Sequence, residues 1–317
     1  MSDLALRLAR GRRVRLRDHG VYLALALLVL FNLFFTANFA TVGNLRLQLV
    51  QVVPVAIVAL GMALVIGTGG IDLSVGSIMA IAAAVIPLYL GYGPWFAILV
   101  GLVAGAAVGL INGTLVAVFD IQPIIATLGL LVAGRGLALV MAEGRLREIF
   151  DPTLATLGNE AIAGVPIILV IAAVLAAAVG LLARRSAFGR RVVAVGGNRE
   201  AATLSGLPVR RTLILTYVAC GVLAALAGVL NTARQGASDP SFVGLLIELG
   251  AITAVVVGGT PLAGGQIRVV GTLAGALLMQ LIVATLVQHN APDSFARMIQ
   301  AAIIVIAVYI QRNRGTA

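Results

Sequence analysis

Few side chains in this 317-residue sequence could make or break bonds, and their placement argues against it. A serine–histidine mechanism needs a base beside the nucleophile. The only histidines are His19, in an arginine-rich N-terminal arm, and His289, near a turn far along the chain. Asp72 stands in an apolar stretch, but no second aspartate does, so paired-carboxylate catalysis is not expected. The chain has no lysine, which excludes a Walker A phosphate loop and Schiff-base chemistry. The lone Cys220 lies in an apolar run and reads as a packed thiol. No metal set or cofactor motif is present in the sequence. Any ATP used must be bound and hydrolysed by another chain.

What remains are polar residues stranded in apolar surroundings: Asp72, Ser74, Asn112, Gln122, Thr127, Arg135 and Glu248. Two lie in the first of a pair of similar segments. Gly61-Met-Ala-Leu-Val-Ile-Gly-Thr-Gly69-Gly70-Ile-Asp72-Leu-Ser74-Val-Gly76 aligns without a gap on 250–265, which contains Gly258, Gly259 and Thr260, with identities at five of sixteen positions. Each reads as an apolar helix, a glycine pair that interrupts it and a new start. A break inside a bilayer exposes backbone groups that lipid cannot satisfy, so such breaks face protein or a watery cavity. Paired breaks in two halves point towards a transport path. Asp72 and Ser74 are suited to cap the helix beginning near residue 75. Asp72 is either such a cap at the membrane surface or a gating or solute-contacting group. Arg135 is expected to reach an interface or pair with an acid.

The elements that carry these residues follow from composition: 61% of residues are hydrophobic, 11% are charged and mean hydropathy is +1.09. A spanning helix takes roughly 20 apolar residues. The expected fold is an all-α polytopic membrane helix bundle of about ten spans, near 21–39, 47–68, 75–90, 95–119, 124–142, 165–183, 212–233, 245–257, 269–287 and 296–310. The eighth is unusually short. Gly101, Gly105 and Gly109 form a stripe for close helix packing. Alternating sides from a cytoplasmic N-terminus puts sixteen arginines inside and five outside, with Arg135 within a span. That bias sets both termini and residues 184–211 in the cytoplasm. The basic arm 1–20 reads as a topogenic signal, with lipid and not nucleic acid as its partner. The run 143–164 is the one sizeable external connection.

Within 184–211, Asn198 is placed to cap a short helix through about Leu204, ended by Gly206 and Pro208. Hung between two spans, such a helix offers a small surface to a cytoplasmic partner, although a purely topogenic loop fits the pattern as well.

Thr68-Gly-Gly-Ile-Asp-Leu-Ser-Val-Gly76, Asn198-Arg199-Glu200-Ala201-Ala202-Thr-Leu-Ser205-Gly206 and Val257-Gly-Gly-Thr-Pro-Leu-Ala-Gly-Gly265 resemble, in order over nearly the whole chain, the permease subunits of bacterial ATP-binding-cassette sugar importers of the ribose, galactose and xylose group. With Ile121-Gln-Pro-Ile-Ile-Ala-Thr127 and Val132-Ala-Gly-Arg-Gly136, the sequence is most similar within that group to galactofuranose permeases. The resemblance implies a single permease domain over 1–317 in the bacterial inner membrane, working by alternating access as a homodimer or with a related second permease. It implies that 198–206 docks on a cytoplasmic ATPase and that a periplasmic sugar-binding protein meets the outer face. Thr260 and Pro261 depart from the commoner Gly-Gly-x-Ser form of the third motif. The rival from another class is an ion-coupled secondary transporter, for which only Asp72 and Glu248 could serve as intramembrane carboxylates.

Overall fold

The computed structural model of the chain describes residues 20–292, with 294, 295, 298, 299, 301–303 and 305 beyond them. The basic arm, His19 and most of the expected last span lie outside the described residues.

Twelve α-helices are described up to residue 288. They are α1 (Gly20–Phe35), α2 (Val42–Gly67), α3 (Val75–Tyr89), α4 (Pro94–Ala117), α5 (Pro123–Met141), α6 (Pro152–Asn159), α7 (Ile167–Arg185), α8 (Ala187–Gly197), α9 (Arg199–Leu204), α10 (Val209–Gln235), α11 (Ile247–Val257) and α12 (Val269–Gln288). Among the described residues seven helices are long and apolar enough to cross a membrane: α2, α3 with its 3₁₀ extension to Tyr92, α4, α5, α7, α10 and α12. The shorter apolar helices α1 and α11 fall within two more of the expected spans, and the bundle is all-α and polytopic.

α2 is the axis of the bundle. From Val58 to Ile66 its side chains are sealed on every side, which is why its sequence is apolar all round with no polar stripe. α10 lies along α4, α2 and α3, and α12 packs on α11, α2 and α1. Where α4 crosses α10 the backbones nearly touch. A Cβ on Gly105 would lie 2.6 Å from the Gly221 carbonyl oxygen, and one on Gly109 2.5 Å from that of Tyr217. The expected glycine stripe is therefore the contact strip, worth having because lipid supplies no hydrophobic drive for helices to associate. α7 stands at the periphery and exposes most of its surface.

The connection 143–164 is more ordered than a loop. It contains α6, started by Asp151 Oδ1 accepting from Leu154 N at 3.0 Å. A two-residue hairpin turns through Ala163 and Gly164, both at positive φ as a type I′ turn requires. Arg147–Glu148 pairs antiparallel with Ala237–Ser238, tying this connection to the segment after α10.

The segment 239–246 folds into the bundle until the backbones of Gly244 and Gly76 meet, and α11 begins there. This explains why the expected eighth span is only 11 residues long. Arg135 holds the segment in place, its Nη1 donating to the carbonyls of Pro240 and Val243, both at 2.7 Å.

Candidate functional site: two helix breaks joined to a polar cluster and an exposed knob

Both breaks end their helices by the same hydrogen-bonded turn. Gly69 N donates to Ile66 O at 2.9 Å and Gly70 N to Val65 O at 3.2 Å; Gly259 N donates to Val256 O at 3.0 Å and Thr260 N to Val255 O at 3.1 Å. This is the Schellman pattern, in which the pivot residue takes a positive φ that only glycine adopts without strain. The pivots are Gly69 (φ 82°) and Gly259 (φ 93°). The gapless alignment pairs Gly69 with Gly258, and the structure corrects it by one residue. Gly258, the residue that caps α11, keeps right-handed angles (φ −64°), and Thr260 takes the place of Gly70.

The breaks meet each other. Gly265 N donates to Gly67 O at 3.1 Å, and a Cβ on Gly264 would fall 2.7 Å from Gly69 N. Gly196, near the end of α8, enters the same junction: a Cβ there would sit 2.0 Å from Gly67 O and 2.7 Å from Gly265 N. Three chain segments thus touch backbone to backbone at the arginine-rich end of the bundle. Thr260 is fully buried beside them, its Oγ1 accepting from Arg268 N at 3.0 Å.

Beyond the first break the chain runs without regular structure through Gly70, Ile71 and Asp72 to the start of α3. Asp72 is completely buried, not at a surface. Its Oδ1 accepts from Ser74 N at 3.0 Å and from Ser74 Oγ at 2.6 Å, so it does serve the amide that opens α3. Ser74 occupies the cap position but makes no side-chain cap bond. Its hydroxyl turns instead to Asp72 and accepts from Asn112 Nδ2 at 2.8 Å. Asn112 Nδ2 also approaches Asp72 Oδ1 at 3.5 Å, which draws α4 into the cluster. Thr127 of α5 donates to the Ile71 carbonyl at 3.3 Å. The cluster was foreshadowed by four of its members. Tyr217 was not: its ring packs fully buried from α10, and Gly70 is glycine because a Cβ would lie 2.6 Å from the tyrosine Oη. Gln122 stands apart, exposed at the start of α5 with no cap bond.

The 184–211 segment holds two helices where one was expected. Ser186 Oγ caps α8 by accepting from Gly189 N at 3.0 Å, and Val192 and Val195, three apart, pack inward. That spacing was the available signal for α8. α9 begins as foreseen, with Asn198 Oδ1 accepting from Ala201 N at 2.9 Å, and ends at Ser205 and the positive-φ Gly206. Ala202 is its one buried residue; Arg199, Glu200, Ala201, Leu204, Ser205 and Gly206 are exposed. Arg199 Nη2 reaches Asp120 Oδ1, 3.1 Å away beyond the end of α4. Beside this knob lies a cleft of about 650 Å³, walled by Val118, Asp120, Arg199, Thr203, Pro208 and Arg211. No group of three or more potential metal ligands occurs among the described residues.

A bundle of broken, glycine-packed helices with a capped knob at one end defines a multi-pass membrane permease. The chain belongs to the family described as the permease component of the branched-chain amino acid transport system, which it matches over residues 44–308. It is 38% identical over 263 residues to the galactofuranose transporter permease protein YtfT of Escherichia coli K12, covering 82% of this chain and 77% of that protein. It is 37% identical over 298 residues, 92% of each chain, to the ribose import permease protein RbsC of the same organism. It is also 35% identical over 280 residues to the L-arabinose ABC transporter permease protein AraH of Azospirillum brasilense, covering 87% and 82% respectively. No solved structure matches the chain. Membership in a family of permease components leaves the ion-coupled secondary transporter without support.

Proposed function

We propose that the chain is the passage-forming subunit of an ATP-driven importer of a neutral monosaccharide. The observation that carries this is the backbone junction of Gly67, Gly196 and Gly265, which joins an exposed knob directly to both helix breaks. A knob pushed by a partner at α9 cannot move without moving the turns that end α2 and α11, because packed backbones transmit displacement instead of absorbing it. Alternating access then needs no chemistry in this chain.

In this reading a cytoplasmic ATPase grips Asn198 to Gly206 and holds the ATP, and the chain itself carries no cofactor. A periplasmic sugar-binding protein delivers solute to the opposite end, and a second permease copy or a related chain completes the passage. The protein sits in a bacterial inner membrane as one domain over 1–317, with both termini and 184–211 in the cytoplasm. Gly69, Gly70, Asp72, Ser74, Asn112, Gly258, Gly259 and Thr260 shape the moving part of the passage, and Gln122 belongs to its inner mouth.

The family description names branched-chain amino acids while the relatives' names are of sugar permeases, so the substrate test compares the two. Cells producing the assembled importer are offered radiolabelled ribose, galactose, arabinose and leucine. ATP-dependent uptake of a sugar is expected; uptake of leucine alone overturns the substrate class. Ala201→Trp and Glu200→Arg should abolish both uptake and stimulated ATP hydrolysis. Unchanged values for both would remove the docking assignment.

A further inference from the structure

A second set of polar side chains, absent from the reading of the sequence, runs through the other half of the bundle. Asn44, Gln48 and Gln51 lie four and three residues apart on one face of α2. Gln280 and Gln288 face them from α12. Gln280 Nε2 donates to Gln51 Oε1 at 2.8 Å and to Gln48 Oε1 at 3.2 Å; Asn44 Oδ1 accepts from Gln48 Nε2 at 3.3 Å and from Gln288 Nε2 at 3.2 Å. A separate group ties α12 to α1, where Asn32 Nδ2 donates to Thr285 Oγ1 at 2.8 Å and, just past its end, Thr36 Oγ1 to Asn32 Oδ1 at 2.7 Å.

The ladder starts at the end of α2 away from the knob and advances seven residues inward, about 10 Å at the helical rise of ~1.5 Å per residue. It stops at Gln51, one turn short of Val55, which packs at Gly250 in the first turns of α11. Carboxamides in hydrocarbon are costly unless bonded. The stack also keeps unused capacity at its inner end: among the described residues Gln51 Nε2 and Gln280 Oε1 make no hydrogen bond. Gln51 and Gln280 are half-buried, not sealed.

We infer that Gln48, Gln51 and Gln280 form a sugar-contacting wall of the passage, on which a neutral polyol exchanges its hydroxyl hydrogen bonds for those the amides make with one another. This deepens the functional reading above and rests on it. Each amide offers one acceptor and two donors, matching a hydroxyl that both gives and takes. No rung is charged, so a neutral solute meets no ion that must be stripped of water. Exchanging one hydrogen bond for another is close to neutral in free energy. A solute so held is bound weakly enough to move on.

The test uses single cysteines in the assembled importer. Native Cys220 is fully buried and gives a silent background. Gln51→Cys and Gln280→Cys are exposed to a membrane-impermeant methanethiosulfonate, with Leu181→Cys on the outer surface of α7 as the lipid-facing control. Both glutamine positions should react at least tenfold faster than Leu181→Cys in one nucleotide state, and excess transported sugar should slow that reaction several-fold. Reaction no faster than the control in every state, or reaction that sugar never slows, overturns the inference. Gln280→Leu and Gln288→Leu each break interhelical bonds and lower the melting temperature; a wall loses uptake at Gln280 and keeps it at Gln288, whereas uptake that merely follows the melting temperature in both variants sinks the idea. If native importer takes up no sugar, the functional reading fails instead, and the labelling pattern still reports whether the ladder meets water.

Discussion

Leu204 is the sharpest probe of the knob. It is 84% exposed at the end of α9, in a helix whose only buried residue is Ala202, so the chain itself gains almost nothing from the side chain. A leucine moved from water into a fitted pocket contributes about 1.5–3 kcal/mol. If Leu204 enters the ATPase on docking, Leu204→Ala removes most of that, about 2 kcal/mol. At ~1.4 kcal/mol per factor of ten, this is roughly a thirtyfold loss of affinity, expressed mainly as faster dissociation. Leu204→Asp should lose more, because a carboxylate then needs burying. Alanine is a good helix former, so α9 itself survives the change. The assay titrates labelled ATPase onto the permease in nanodiscs and follows thermal unfolding in parallel. Dissociation constants within threefold of the parent for both variants, with unfolding unchanged, would refute the assignment of α9 as the docking surface.

Gly196→Ala places a methyl 2.0 Å from the Gly67 carbonyl oxygen and should force the junction apart. Overpacking of this kind costs about 1–3 kcal/mol, and uptake should fall while ATPase binding is retained, as read by transport and pull-down on the same preparation. Asp72→Ala strands the buried Ser74 amide and hydroxyl and should cost roughly 1–3 kcal/mol. Asp72→Asn, which keeps one acceptor, should melt several degrees closer to the parent. Arg135→Met deletes two charge-assisted bonds to the 239–246 segment, each worth about 1.5–3 kcal/mol; protease cleavage near Ser241 should become faster. Arg199→Ala, by contrast, breaks an ion pair whose side chains are 47% and 79% exposed, and its effect on stability should stay under about 1 kcal/mol.

Hydropathy, arginine placement, glycine pairs and caps are properties of short stretches of chain, and these were legible without coordinates. The sequence alone determined a polytopic helical bundle, two interrupted helices, an unusually short eighth span and a short helix capped by Asn198. It also pointed to Asp72, Ser74 and Asn112 without showing that they touch. Tertiary packing alone decided that the two breaks meet through Gly67 and Gly265, that Gly196 wedges between them, and that their turns correspond one residue away from the gapless alignment. Packing also buried Asp72, left Gln122 outside the cluster and brought Gln280 to Gln51, 229 positions away. A helix presents a face every 3.6 residues whatever its sequence, but which face meets which neighbour is fixed only when all the helices are laid together. The contacts that join knob, breaks and amide ladder are of that second kind.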